Sequence, residues 1–338
     1  MELQPAPRHP LLRLLREHPA FRGFLVIRAA DELASQMLNV AIGWYVYSAT
    51  HNPISLAYVG LAQFLPTTGL LLVAGHAADR FDRRKLIGLS LLLQTLCVGA
   101  FGVWSAAKTP SAGPVYLLLL ILGSARAFYS PALSATLPQI VTGEDFPRAV
   151  AASSSAFQIC SIVGPAIGGL IYAINGTAMF AAVTTLLFLA ATQTLRLVGG
   201  RPAATEQPAD KGDKSVFAGV RYIKSNRLLL SLISLDLFAV LLGGVTALLP
   251  IYAKDILAVG PIGLGCLRCA PGAGAAVIGL LLAHRTIERN AGKRMLACVA
   301  GFGLATVVFA ISRNFWLSLR TFSAFLSTVS PSFGLLNS

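Results

Sequence analysis

Charged residues lie inside apolar stretches of this sequence, where an ionised side chain is costly unless it is paired or hydrated. Asp31 and Glu32 occur in one such stretch, Arg126 lies near the middle of another, and Asp236 occurs in a third. A carboxyl group at such a depth can exchange an arginine partner for a proton. These four residues predict a proton-coupling site, in which Asp31 or Glu32 pairs with Arg126. The alternative is a fixed ion pair between Asp31 and Arg28, one helical turn before it.

A short basic loop follows the second apolar stretch and contains Gly75, Asp79, Arg80, Arg83 and Arg84. A glycine lets a neighbouring helix approach closely. An acid at the end of a helix can pair with an arginine or accept hydrogen bonds from backbone N–H groups of another helix. The spacing predicts a conformational latch that forms in one state and opens in another. A plain basic loop is the alternative, but it accounts for neither Asp79 nor the glycine.

The fifth apolar stretch contains Gly164, Pro165, Gly168 and Gly169 within six residues. Proline removes one hydrogen bond from the helix ladder, and glycines allow a facing helix to pack closely. This run predicts a specialised helix contact, with ordinary helix packing as the alternative.

Polar residues in the apolar stretches are weaker candidates for a substrate cavity. Transporter binding sites lie near the middle of the bilayer, between helices. Each candidate could instead pack or hydrogen-bond between helices. They are Gln36, Asn39, Gln63, Gln158 and Tyr252.

Nothing in the sequence is typical of an enzyme or a cofactor site. All five cysteines lie in apolar stretches, and the C-x-x-C spacing of Cys266 and Cys269 lacks a second pair of Cys or His ligands. The sequence has no Walker-type loop, and no Ser/His/Asp set lies outside the apolar stretches. We therefore expect no metal, no cofactor and no enzymatic activity.

The elements that carry these residues are predicted to be membrane-spanning helices. Of the 338 residues, 55% are hydrophobic and 12% are charged, against about 25% charged in soluble domains. Many apolar runs are long enough to cross about 30 Å of hydrocarbon. We predict an all-α integral membrane protein with spans at 24–48, 56–78, 86–107, 115–139, 150–174, 178–198, 228–252, 262–284 and 295–312, and a doubtful tenth at 315–336.

The chain repeats itself with an offset of 205 residues, which aligns Asp31 with Asp236 and Tyr47 with Tyr252. Internal repeats of this length are typical of secondary transporters. We predict a six-helix bundle over 1–198, a cytoplasmic linker with a short amphipathic helix over 199–227, and a second bundle over 228–338. We expect three or four spans in an incomplete second bundle, and a frameshifted end in the Ser-rich tail 320–338, with an unusual span in the tail as the alternative. An inactive truncated protein, or a non-transporting sensor or partner subunit, is the alternative function.

The net charge of +13 is distributed asymmetrically rather than gathered on one nucleic-acid-binding face. With the N-terminus assigned to the cytoplasm, about 21 of the 27 lysines and arginines fall on the cytoplasmic side, as the positive-inside rule requires. We assign Lys108, Lys254, Arg313 and Arg268 to the opposite side. The charge distribution therefore predicts a multi-pass membrane protein without a nucleic-acid partner.

The basic loop resembles the G-x-x-x-D-R-x-x-R-R signature of the major facilitator superfamily, although Asp82 stands where that family often has Gly. The run from Gly164 to Gly169 resembles a motif linked with the exporters of the superfamily. Arg126 is similar in placement to an arginine that the family ties to proton transfer. The resemblance covers residues 1–318 and implies two helical bundles that flank a central cavity and move by alternating access.

The same resemblance implies a function and a location. We expect proton-coupled export of a small organic molecule of the siderophore or drug class across the bacterial inner membrane. The expected partners are the lipid bilayer, the substrate and protons, and the expected state is a monomer.

Overall fold

The structure, a computed structural model, describes residues 10–106, 113–197, 245–282, 301 and 303–327. Its first part is a series of helices: α1 (Pro10–Glu17), α2 (Pro19–Thr50), α3 (Pro53–Gly69), α4 (Leu71–Arg80), α5 (Arg83–Ala106), α6 (Gly113–Ile140), α7 (Phe146–Ile174) and α8 (Gly176–Leu197). The short helix α1 was not predicted from the sequence. The first six predicted spans are confirmed as helices.

The second predicted span consists of two helices, α3 and α4, which are separated at Leu70. The Leu70 N–H donates to the Pro66 carbonyl at 2.9 Å, and the Ala74 N–H donates to the Leu70 carbonyl at 2.7 Å. Because hydrogen bonds continue on both sides of Leu70, the two helices still act as one span.

The described segments after residue 244 begin with α9 (Val245–Ile251), which continues into one π-helical turn (Tyr252–Ile256). Then follow α10 (Gly260–Leu282), α11 (303–311) and α12 (Phe315–Ser327). The eighth span is thus confirmed over its described part. The predicted linker, its amphipathic helix, Asp236 and the tail beyond residue 327 lie outside the described residues.

Two apolar cores form within these elements. The larger core draws its buried residues from α1 to α8, whereas the smaller one combines Val40 of α2 with residues of α9 to α11 such as Leu249, Leu264 and Phe309. Large apolar side chains also cover the outside, with Val103 77% and Ile174 78% exposed. A bare apolar exterior of this kind suits lipid rather than water.

Several helices fit a bilayer by length and composition alone. Within the described residues these are α5, α6, α7 and the segment Gly176–Leu195 of α8. The helix α2 is longer, at 32 residues, and carries the charged residues singled out above.

The helix α7 packs against α2 through glycines. A Cβ atom added at Gly164 would lie 2.7 Å from Cβ of Gln36, and one added at Gly168 would lie 2.8 Å from Cα of Met37. Real Cβ atoms do not approach other atoms so closely, so the absence of side chains sets the distance between these two helices. The close packing predicted for this motif is confirmed here.

The same helix α7 crosses α10 on its other side. A Cβ atom at Gly169 would lie 2.5 Å from the Pro261 carbonyl oxygen, and one at Gly265 would lie 2.5 Å from the Pro165 carbonyl oxygen. Both obstacles are backbone atoms, which cannot turn away as a flexible side chain would. The helix α7 therefore joins the first bundle to α10 at near-backbone contact.

We predict that Gly169→Ala lowers the thermal unfolding temperature of the purified protein, because the new methyl group must push α7 and α10 apart. Overpacking of this kind costs about 1–3 kcal/mol. The matched control is Gly60→Ala, since an added Cβ at Gly60 meets nothing within 4 Å. Equal unfolding temperatures for the two variants would contradict the proposed crossing.

Candidate functional site

A polar cavity of about 420 Å³ lies between α2, α6 and α7. Four charged side chains line it, two basic and two acidic: Arg28, Arg126, Asp31 and Glu32. The sequence thus predicted correctly that Arg126 faces the interior beside the two acids. In the structure, Asp31 is about 18 Å along α2 from its first residue, and Arg126 is at the middle of α6.

Hydrogen bonds hold two of these charged groups in place. The Arg126 guanidinium donates through Nη2 to the Ser35 hydroxyl at 2.7 Å. The Glu32 carboxylate accepts from the Gln36 side-chain amide, also at 2.7 Å and one helical turn away. Both Ser35 and Gln36 are on α2, so this helix orients the cationic group of α6 as well as its own acid.

Other polar atoms of the cavity have no protein partner. Oδ1 of Asp31, the Tyr129 hydroxyl and the Nε atoms of Arg28 and Arg126 are buried without a hydrogen bond. Arg28 instead lies over the Phe157 ring, with 5.2 Å from its Cζ atom to the ring centroid. A buried polar group without a partner is costly, so these atoms are available to a ligand, and the Asp31 carboxylate is also available to a proton.

The acids and the arginines do not form contact ion pairs in this conformation. Within the described residues, no arginine nitrogen lies within 4.0 Å of a carboxylate oxygen of Asp31 or Glu32, whereas Arg148 does form such a pair with Asp145. The fixed pair between Asp31 and Arg28 is therefore not observed. The exchange of Asp31 or Glu32 between Arg126 and a proton stays a prediction, and Asp236 lies outside the described residues.

A second cavity of about 340 Å³ lies between α2, α3, α9 and α10. Asn39 of α2 lines both cavities, which are therefore neighbours. Arg268 of α10 lines the second one. The helix α10 begins at Gly260, which places Arg268 about 12 Å inside the helix, and its assignment to the outer side stays a prediction.

The weaker cavity candidates divide between the cavities and the packing. Gln36 and Asn39 line the first cavity, and Asn39 and Gln63 line the second. Gln158 is exposed and lines neither of them. The Tyr252 hydroxyl donates to the Ala310 carbonyl at 3.1 Å and its ring packs on Phe309. The placement of Gln158 and Tyr252 in a substrate cavity stays a prediction, since neither residue lines the two cavities described above.

A contact that was not predicted from the sequence joins α2 to the π-helical turn. The Tyr47 hydroxyl donates a hydrogen bond to the Asp255 carboxylate. The Lys254 ammonium lies over the rings of Trp44 and Tyr47, at 6.0 and 5.8 Å from their centroids. The repeat offers a signal for it, since Tyr47 and Tyr252 are equivalent positions and the ends of equivalent spans meet.

The basic loop ties two helices together through Arg83. Its guanidinium donates to the Ala78 carbonyl at 3.1 Å and to the Ala135 carbonyl at 2.9 Å, which links the end of α4 to α6. Arg80 is exposed, and the Asp82 carboxylate accepts from the Arg84 N–H at 3.0 Å.

Gly75 and Asp79 are two other residues of the predicted latch. An added Cβ at Gly75 meets nothing within 4 Å, so the expected close helix approach at this glycine is not observed. The Asp79 side chain lies outside the described part of the chain.

A bundle of apolar helices around adjoining polar cavities defines a membrane transporter. The fold is that of a bacterial homologue of the human lysosomal transporter Spinster in an inward-facing, unoccupied conformation, with a TM-score of 0.70, 13% identity, and coverage of 98% of this chain and 75% of that one. The nucleoside transporter NupG matches with a TM-score of 0.65 and 14% identity, and the match covers 94% of this chain and 82% of that one. A D-xylose–proton symporter matches with a TM-score of 0.61 and 13% identity, and the match covers 94% of this chain and 80% of that one.

Residues 14–326 match the family described as transmembrane secretion effector, a branch of the major facilitator superfamily, and the chain belongs to it. It is similar to the enterobactin exporters EntS of Escherichia coli O139:H28 and Shigella boydii serotype 18. In both cases the identity is 29% over 333 aligned residues, and the match covers 94% of this chain and 77% of the relative. The protein is thus a multi-pass membrane transporter and not an enzyme.

We predict that Arg83→Gln lowers the free energy of unfolding, because two carbonyls of α4 and α6 lose a charged donor. Hydrogen bonds to charged groups contribute about 1.5–3 kcal/mol each. Arg80→Gln removes an exposed arginine of the same loop and serves as the control, with little change expected. Thermal unfolding in detergent measures both, and equal losses would contradict the role given to Arg83.

Proposed function

We propose that this protein exports a small organic molecule of the siderophore or drug class and drives it with protons that enter in exchange. The observation that carries the proposal is the cavity that unites Asp31, Glu32 and Arg126 in the apolar interior. Membership of the secretion effector family supports the outward direction of transport.

Proton coupling requires a carboxyl group whose partner changes. The Arg126 guanidinium is held by Ser35 rather than by an acid, while one oxygen of Asp31 is buried without a partner. The proposed conformational change brings Arg126 of α6 to Asp31 of α2, and this contact stabilises the ionised carboxylate. Loss of that contact favours proton uptake, so the protonation of Asp31 follows the conformation.

Alternating access requires the two bundles to meet at one side and part at the other. Among the described residues, the two bundles meet in the C-terminal halves of α2 and α7, at Tyr47 with Asp255 and at Gly169 with Gly265. The four charged residues of the cavity lie before these contacts along α2 and at the middle of α6. This arrangement supports a conformation that is closed at the far end of α2.

The proposed orientation places the N-terminus in the cytoplasm, following the distribution of lysine and arginine. The closed end of α2 then faces away from the cytoplasm, from which an exporter must collect its substrate. Asp79 and the basic loop fall on the same side and are proposed to form the cytoplasmic latch.

We predict that Asp31→Asn abolishes proton-driven accumulation of substrate in inside-out membrane vesicles but leaves exchange of labelled for unlabelled substrate. Asparagine cannot carry a proton, whereas exchange needs only the conformational change. A panel of labelled drugs and siderophores supplies the substrate. Asp145→Asn, which removes a half-buried acid outside the cavity that pairs with Arg148, is the control. Gradient-driven accumulation at the wild-type level in Asp31→Asn would contradict the proposal that Asp31 carries the proton.

We predict that Tyr47→Phe opens the contact between α2 and the π-helical turn in a larger fraction of molecules, because the Asp255 carboxylate loses its donor. Spin labels on exposed positions of the two elements measure this as a longer distance. Tyr58→Phe is the control, since Tyr58 is exposed and touches Tyr116 within the first bundle. The same distance distribution in both variants would exclude Tyr47 as part of the closure.

A further inference from the structure

Arg268 is a cation of the second bundle that the proposed proton coupling does not use. It lies about 12 Å from the beginning of α10 and lines the cavity of about 340 Å³. Its Nε atom is buried and has no hydrogen-bond partner. A charged side chain at such a depth is costly and typically marks the path of a substrate or an ion.

Among the residues that the structure describes, the surroundings of Arg268 supply no opposite charge. Among the described residues that line the cavity, none carries a carboxylate, and the polar ones are Asn39, Gln63 and Thr67. The Thr67 hydroxyl is already engaged with the Gln63 carbonyl at 2.8 Å. The guanidinium lies against α2, where a Cβ atom added at Gly43 would be 3.5 Å from its Nη2 atom.

We infer that Arg268 is the anion-recognising group of the substrate cavity, and that the exported molecule carries a carboxylate or a similar anionic oxygen on an apolar body. The inference rests on the export function proposed above and names the substrate class. A guanidinium offers two parallel N–H donors that match a carboxylate. Leu56, Phe64 and Pro250 line the same cavity and provide contact for the apolar body.

Recognition and proton coupling are then separated in space. Gly43, which marks the position of Arg268, lies 12 residues after Asp31 on α2, or about 18 Å along the helix. Asn39 lines both cavities and lies between them. An anion at Arg268 therefore leaves the Asp31 carboxyl group accessible to its proton.

The test measures equilibrium binding to the purified protein in nanodiscs, without any gradient. The probes are three matched pairs of an aromatic carboxylate and its neutral amide: benzoate and benzamide, naphthalene-2-carboxylate and its amide, and indole-3-acetate and its amide. We expect at least one carboxylate to bind tenfold or more tightly than its amide. Arg268→Gln should remove this preference, and Arg268→Lys should keep part of it because the charge remains.

The matched control is Arg313→Gln, which removes an exposed arginine and should keep the full preference. A wild-type protein that prefers none of the carboxylates to its amide overturns the inference. So does a carboxylate preference that survives in Arg268→Gln.

A second measurement uses the unmutated chain, in case the variants do not fold. Phenylglyoxal modifies accessible arginines, and mass spectrometry locates the modified positions. The preferred carboxylate should protect Arg268 and not Arg313, whereas its amide should protect neither. Equal modification of Arg268 with and without the carboxylate overturns the inference.

The outcome is distinguishable from failure of the proposed function. If the wild-type protein shows proton-driven efflux but no carboxylate preference, only the proposed anion site is contradicted. If it binds carboxylates at Arg268 but shows no proton-driven efflux, the proposed coupled transport is contradicted instead.

Discussion

The cost of placing an ionised side chain in hydrocarbon organises this molecule. Lipid offers no hydrogen bonds, so every charge in a spanning helix must turn toward the interior and find a partner there. Arg28, Asp31, Glu32 and Arg126 turn toward the interior and share one cavity, and Arg268 lines its neighbour, although none of them forms a contact ion pair with another described residue in this conformation. Because a charge facing lipid is energetically costly, these residues face the interior, where a proton and a substrate can reach them.

Close helix approach is the second constraint, and it acts through α7. Its glycines bring it to near-backbone contact with α2 on one side and with α10 on the other. Helices in lipid associate through close packing of this kind rather than through the hydrophobic effect. A helix fixed on both sides can transmit a movement of the second bundle to the wall of the charged cavity.

The sequence was sufficient to predict features that depend on whether a residue lies in hydrocarbon or in a polar environment. The long apolar runs located the helices to within a few residues, and the depth of Asp31 and Arg126 placed both at one cavity. Features that depend on the rotation of a helix were beyond it. Tyr252 is an example, because hydropathy does not show that its hydroxyl turns toward the Ala310 carbonyl.

One further difference has a local physical reason. The bond between Tyr47 and Asp255 needs the π-helical turn, whose extra residue re-aims the side chains of Lys254 and Asp255. A local change of helix type of this kind has no simple composition signal, although the repeat relating Tyr47 to Tyr252 pointed to the same end of the molecule.

The most direct test of the central claim is a measurement of proton movement itself. The protein is reconstituted in sealed liposomes that contain a pH-sensitive dye, and a transported compound is added on one side. The account predicts that protons cross in the opposite direction in the wild type and that this signal is absent in Asp31→Asn. Transport of the compound without proton movement, or an equal proton signal in Asp31→Asn, would contradict it.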